Sequence, residues 1–158
     1  MTATPLLPGM VDRIREGAYW EGYAAAACAF CGFSVEMGPR RVRDEAEPIT
    51  TFSEQVDLVV NGIPVEVKSR SISFTSPSDV PFEQLTICRY TGALPTVPYL
   101  IISAPTRRIV ASLPGIGERT VAPQRDAERG YSCPSVQVHR DSLVPFSGFV
   151  DWMRERTR

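Results

Sequence analysis

Ser53–Arg70, SEQVDLVVNGIPVEVKSR, holds two β-rich runs, 53–60 and 63–70, joined by Asn61-Gly62. Asn-Gly between apolar strands is the strongest short signal for a two-residue type I′ turn, because both central residues need positive φ. A turn of two residues sets the register, so Asp57 falls opposite Glu66 and Gln55 opposite Lys68. Strand alternation then assigns the faces. Val56, Leu58 and Val60 share a face with Ile63, Val65 and Val67, and that face is wholly apolar. Gln55, Asp57, Glu66 and Lys68 share the other. Turn chemistry and face segregation agree on one register, and the fold is read outward from it.

The polar face carries a cost. Carboxylates directly opposite have Cβ atoms about 5 Å apart, and like charges there destabilise a sheet. Either one carboxyl takes up a proton or a cation sits between them. Mg²⁺ suits the second solution, since it takes oxygen ligands and uses one or two carboxylates together with substrate phosphates. Lys68 would stand beside that ion, where an ammonium can orient or help deprotonate a water and offset charge in a phosphoryl transition state. The same residues also suit a Lys–Glu–Asp ion-pair cluster on a solvated sheet face.

Upstream, residues 10–31 read as a helix. Val11, Ile14, Ala18, Ala25 and Cys28 recur at helical steps, Gly32 is the stop, and the gap in the stripe falls at Glu21. A carboxylate in a buried stripe is costly unless paired or metal-bound; a slightly rotated helix would instead release the acid and turn Gly22 inward. Phe33–Met37 reads as a strand, and Gly38–Thr51 as a polar loop. Downstream, SFTSPSDVP reads as a loop leading into a helix over residues 80–91. VPYLIIS and RIVASL read as strands, residues 114–134 as loop, SVQVHR as a last strand, and GFVDWMRER as a last helix capped by Ser147. This order predicts one mixed α/β domain over residues 1–158.

Composition bounds the answer. The chain has 158 residues, 43% hydrophobic and 22% charged, with a net charge of -1, which is globular and excludes disorder and a disulfide miniprotein. No apolar run approaches the roughly 20 residues of a membrane span. The start, MTATPLLPGMVDR, lacks a basic segment followed by an apolar one, so a cytoplasmic location is expected. Of 17 basic residues 16 are arginine, and the one lysine is Lys68. A GC-rich coding sequence explains an arginine bias, but not the place of the lysine. Cys28, Cys31, Cys88 and Cys133 lack the paired spacing of a zinc site and read as structural thiols. His139, the single histidine, reads as structural.

At these residues the sequence resembles the PD-(D/E)XK nuclease superfamily. The motif is Val56-Asp57, eight residues, then Glu66-Val67-Lys68, with an acid-bearing helix upstream; the likeness covers about residues 10–113. It implies a restriction-endonuclease-like core, a mixed central sheet flanked by helices; the strand and helix read over about 135–156 follow that core. It implies that Asp57 and Glu66 bind Mg²⁺ (or Mn²⁺), helped by the main-chain carbonyl of Val67, that Lys68 is the catalytic lysine, and that Glu21 is the helix acid of many members. Valine stands before Asp57 where the family often has proline. Gln84 and Tyr90 are spaced more widely than the glutamine–tyrosine signature of the RecB-like branch.

The substrate expected from that chemistry is a DNA phosphodiester, cut by water in an endo or exo manner. A net charge of -1 argues against broad nonspecific duplex binding. Arg40, Arg41, Arg43, Arg70 and Arg89, with Gln84, are the candidate nucleic-acid contacts. A second copy of the chain, in a homodimer, is a candidate partner, and no membrane is expected. Two other readings stand beside the nuclease: a nuclease-fold protein that binds nucleic acid or a protein partner without cutting, and an unrelated α/β enzyme with a chance motif.

Overall fold

The computed structural model describes residues 9–38, 56–126 and 131–158. Among them the order is α1 (Met10–Phe30), β1 (Val35–Met37), β2 (Leu58–Val60), β3 (Ile63–Arg70), β4 (Gln84–Arg89), β5 (Tyr99–Ser103), β6 (Ile109–Ser112), β7 (Arg119–Asp126), β8 (Tyr131–His139), β9 (Val144–Pro145) and α2 (Phe146–Arg156). Short 3-10 turns occupy Pro77–Asp79 and Arg140–Ser142. The fold is α/β, with a mixed six-stranded sheet, a second sheet of three strands and two helices. The chain divides into two compact units, residues 1–67 and 68–158, and the boundary falls inside β3.

In the first unit the strand order is β1-β2-β3, antiparallel throughout. The helix ends as Gly32 predicts. Gly32 adopts φ 89, its amide donates to the Ala29 carbonyl at 2.9 Å, and the Phe33 amide reaches the Cys28 carbonyl at 3.2 Å. These are the paired bonds of a Schellman stop. Trp20, Ala24, Ala25 and Cys28 are buried on α1, which lies against β1 and β2. Trp20 and Ala24 extend the predicted stripe, and Glu21 falls within the same arc, half-buried. A Cβ placed on Gly22 would meet nothing within 4 Å, so Gly22 does not take the inward place. The sheet contributes Leu58, Val60, Val65 and Val67 to the core.

In the second unit β5-β6-β9 is antiparallel within the larger sheet, and β4-β8-β7 makes the smaller, antiparallel sheet. All five residues of β5 are buried, the pattern of a strand covered on both faces. Phe74, Leu85, Ile87, Val136 and Val138 belong to one buried cluster with Tyr99 and Ile101. α2 packs Phe149, Val150, Trp152 and Met153 inward and lies against β6 and β9.

Four expectations are corrected by these elements. The helix read over 80–91 is strand β4, whose Leu85 and Ile87 are buried in alternation and which pairs with β8. The loop read over 114–134 contains β7 and the start of β8; Pro123 is tolerated because β7 pairs on one side only. Ser147 does not cap α2, which begins at Phe146 after Pro145. The predicted strand over 33–37 is shortened to Val35–Met37.

Candidate functional site

The β2–β3 hairpin forms on the predicted turn. Asn61 has φ 46 and Gly62 φ 81, both in the left-handed region that a type I′ turn demands. Asn61 does more than turn the chain: its Oδ1 accepts from the Ser34 amide at 2.7 Å, and its own amide donates to the Ser34 carbonyl at 2.8 Å. The turn is thereby tied to the residue entering β1. The ladder pairs Leu58 with Val65, Val59 with Pro64 and Val60 with Ile63, which is the register the turn predicts.

At Asp57 the geometry departs from a flat continuation of that ladder. Pairing ends at Leu58, and the Asp57 carbonyl accepts from the Gly38 amide at 3.1 Å. The Asp57 carboxylate turns onto β3, where Oδ2 accepts from the Val67 amide at 2.8 Å. This is a charge-assisted bond to the residue between Glu66 and Lys68. It brings the carboxylate to the middle of the Glu66-Val67-Lys68 segment. Glu66 and Lys68 are half-buried and alternate along β3 with the buried Val65 and Val67, so both leave the strand on the side away from the apolar face.

The donor chemistry of the hairpin fits Mg²⁺. Among the described residues Val67 engages Oδ2 of Asp57, and Oδ1 is the oxygen that would meet a cation. Mg²⁺ takes one or two protein carboxylates, and water and phosphate oxygens complete its octahedron. Asp57 and Glu66 are the carboxylates that would serve such an ion, with the Val67 carbonyl as the third candidate oxygen. Among the described residues no group of three or more His, Cys, Asp or Glu could hold an ion, so Glu21 is not brought into a three-carboxylate cage with them.

The other candidates scatter. Gln55, Arg40, Arg41 and Arg43 lie outside the described residues. Arg70 is half-buried, and its guanidinium donates to the Thr86 carbonyl at 2.6 Å and the Ser69 carbonyl at 3.0 Å, with burial lowering its pKa. It is committed to the main chain of β3 and β4. Gln84 and Arg89 are exposed at the two ends of β4, and Tyr90 packs against the core. Cys28 is a buried free thiol pushed up to about 12, by burial first and by Cys31 second, in keeping with a structural role. No helix among the described residues is long and apolar enough to cross a membrane.

Sequence reasoning missed two features. One is the Val67 amide as a partner for Asp57, which no side-chain pattern encodes. The other is a cleft of about 410 Å³ around His139 in the second unit, hidden because residues 80–91 read as a helix. Comparison with family models, curated proteins and solved structures returned no match to this chain.

Proposed function

We propose that this chain is a Mg²⁺-dependent nuclease that hydrolyses DNA phosphodiester bonds, built on a variant of the restriction-endonuclease-like core. One observation carries the reading: the Asp57 carboxylate is bonded to the Val67 amide, in the middle of the Glu66-Val67-Lys68 segment, on a hairpin of the expected register. Asp57, Glu66 and the Val67 carbonyl would hold the metal. When bound, Mg²⁺ supplies Lewis-acid stabilisation of charge on the phosphoryl oxygens. Lys68 orients the attacking water through its ammonium, whose charge offsets the negative charge that grows on the phosphate. Val67 holds Asp57 through its amide and thus positions a carboxylate that would otherwise be free to rotate.

A second reading draws on the strand β4, which stands where the resemblance calls for a helix after the hairpin. In that reading the chain binds nucleic acid or a protein partner without cutting. Incubation with supercoiled, linear, single-stranded and branched DNA, in Mg²⁺ and in EDTA, separates the two. The nuclease reading expects cleavage that EDTA abolishes and that Asp57→Ala and Lys68→Ala each reduce at least about a hundredfold. Binding without cleavage in Mg²⁺ and in Mn²⁺ supports the second reading.

A further inference from the structure

The cleft around His139 lies in the second unit and plays no part in the proposed nuclease site. Its floor is the polar face of the smaller sheet. Gln84 pairs directly with His139, and Thr86 and Thr120 both pair with Gln137, so these side chains share the face opposite the buried Leu85, Ile87, Val136 and Val138. One wall is the turn carrying Ile116, Gly117 and Glu118, and the other is Asp141 and Ser142 of the 3-10 turn after β8.

The walls are locked together. Gly117 has φ 70, and a Cβ built on it would collide with the Cβ of Ser142. Glycine is therefore required for the turn to close on Ser142, and the cleft is formed before any ligand arrives.

The hydrogen-bonding inventory is one-sided. The Asp141 amide donates to His139 Nδ1 at 3.1 Å, an arrangement that assigns the ring proton to Nε2, 3.2 Å from Glu83 Oε1. Ser142 Oγ donates to the His139 carbonyl at 2.7 Å. The imidazole and hydroxyl protons are spent within the protein, while the cleft is faced by the lone pairs of Ser142, the exposed carboxylate of Glu118 and the carboxylate of Asp141, whose Oδ2 stands 3.5 Å from His139 Nδ1. Gln84 and Thr120 make no side-chain hydrogen bond among the described residues. Among the described residues no lysine or arginine lines the cleft, and Ile116, 42% exposed, supplies an apolar contact at its rim. The field is wrong for a phosphate and right for a donor-rich cation on a short hydrocarbon stem.

We infer that this cleft binds a small organic cation, a primary ammonium or guanidinium, with its charged head between Asp141 and Glu118 and its stem against Ile116. A free polyamine and an arginine or lysine side chain of a peptide present the same chemistry. Titration of the full chain, followed by amide NMR, with putrescine in one arm and an N-acetylated, C-amidated arginine in another, distinguishes the sources; inorganic phosphate and Mg²⁺ serve as controls. The expected result is saturable shifts at Gln84, Thr120, His139 and Ser142 with one or both amines. Glu118→Gln with Asp141→Asn should weaken binding about tenfold or more. Gly117→Ala, which removes no charge, should weaken it comparably by displacing Ser142, and Glu155→Gln on α2 should leave it unchanged. Shifts that do not saturate, that Mg²⁺ reproduces, or that survive the double variant overturn the proposal. Should Gly117→Ala fail to fold, the double variant decides alone.

Discussion

The carboxylate of Asp57 accepts the main-chain amide of Val67 at 2.8 Å, ten residues away in sequence and on the neighbouring strand. This bond gives Asp57 a structural duty as well as its proposed place at the metal, and the two can be separated. Asp57→Asn keeps an oxygen for the Val67 amide but loses the charge. Asp57→Ala loses both. Both variants should lose at least about a hundredfold in Mg²⁺-dependent cleavage. Only Asp57→Ala should also lose stability, by about 1–2 kcal/mol, because it leaves a part-buried amide without its acceptor. Urea midpoints beside plasmid-cleavage rates check this; equal stability of the two variants would mean the bond contributes nothing.

Lys68 leads to a prediction that charge alone does not make. If its ammonium orients water, Lys68→Arg should remain as inactive as Lys68→Ala, because guanidinium is larger and planar and presents its donors in a rigid fork. If Lys68 only neutralises Glu66 on a solvated face, Lys68→Arg should behave like wild type. Cleavage rates as a function of pH make the comparison, and a wild-type rate for Lys68→Arg would remove Lys68 from the chemistry.

The hairpin turn should respond to its two requirements separately. Asn61 needs positive φ, 46, and provides the acceptor for Ser34. Asn61→Gly satisfies the dihedral but not the bond, and should cost about 0.5–1.5 kcal/mol. Asn61→Ala satisfies neither, and should cost about 1 kcal/mol more through left-handed strain. Chemical denaturation of the two variants beside wild type measures both steps.

The contrast between this turn and residues 84–89 explains what was legible in the sequence. Asn61-Gly62 carries its own instruction, since local sterics choose the turn and the turn chooses the register. The segment QLTICR carries no such instruction. Leu85 and Cys88 are three apart, a helical step, while Leu85 and Ile87 alternate as in a strand, and a bulge between Thr86 and Cys88 blurs the alternation further. Pairing with β8, some fifty residues on, decides in favour of the strand. β7 was hidden for a related reason: an edge strand with Pro123 and several charged residues buries little and looks like loop. In the candidate site the Glu66-Val67-Lys68 side of the hairpin was readable, because alternation on one strand suffices. The turning of Asp57 onto the Val67 amide was not, because it depends on where the ladder stops.

Arg70 illustrates a basic residue whose sequence position suggests phosphate and whose surroundings suggest otherwise. Its guanidinium is held by the carbonyls of Thr86 and Ser69. Removing a phosphate contact reduces the salt dependence of DNA binding by about one counterion. Arg70→Gln should leave that slope unchanged while lowering stability by about 1–2 kcal/mol, since two carbonyls lose a charged donor. Filter-binding or anisotropy over a salt series, paired with thermal unfolding, reads both. A reduced slope would return Arg70 to the nucleic-acid interface.

The buried thiol of Cys28 predicts how the fold responds to alkali. Its pKa is pushed from 9.0 to about 12, because ionisation would place a thiolate in the apolar contact between α1 and the first strands, with Cys31 adding to the cost. Above pH 9 the unfolded chain releases this proton while the folded chain keeps it. The unfolded state then binds fewer protons, so stability falls as pH rises, by at most about 1.4 kcal/mol per pH unit from this one group. The contribution is fully present below pH 9 and is lost progressively towards pH 12. Cys28→Ala removes the titration at the cost of a small cavity. Its stability should start lower than wild type at neutral pH and decline less steeply between pH 9 and 11. Urea unfolding across that range gives both slopes directly; parallel slopes would show that the thiol ionises as readily inside the fold as outside it.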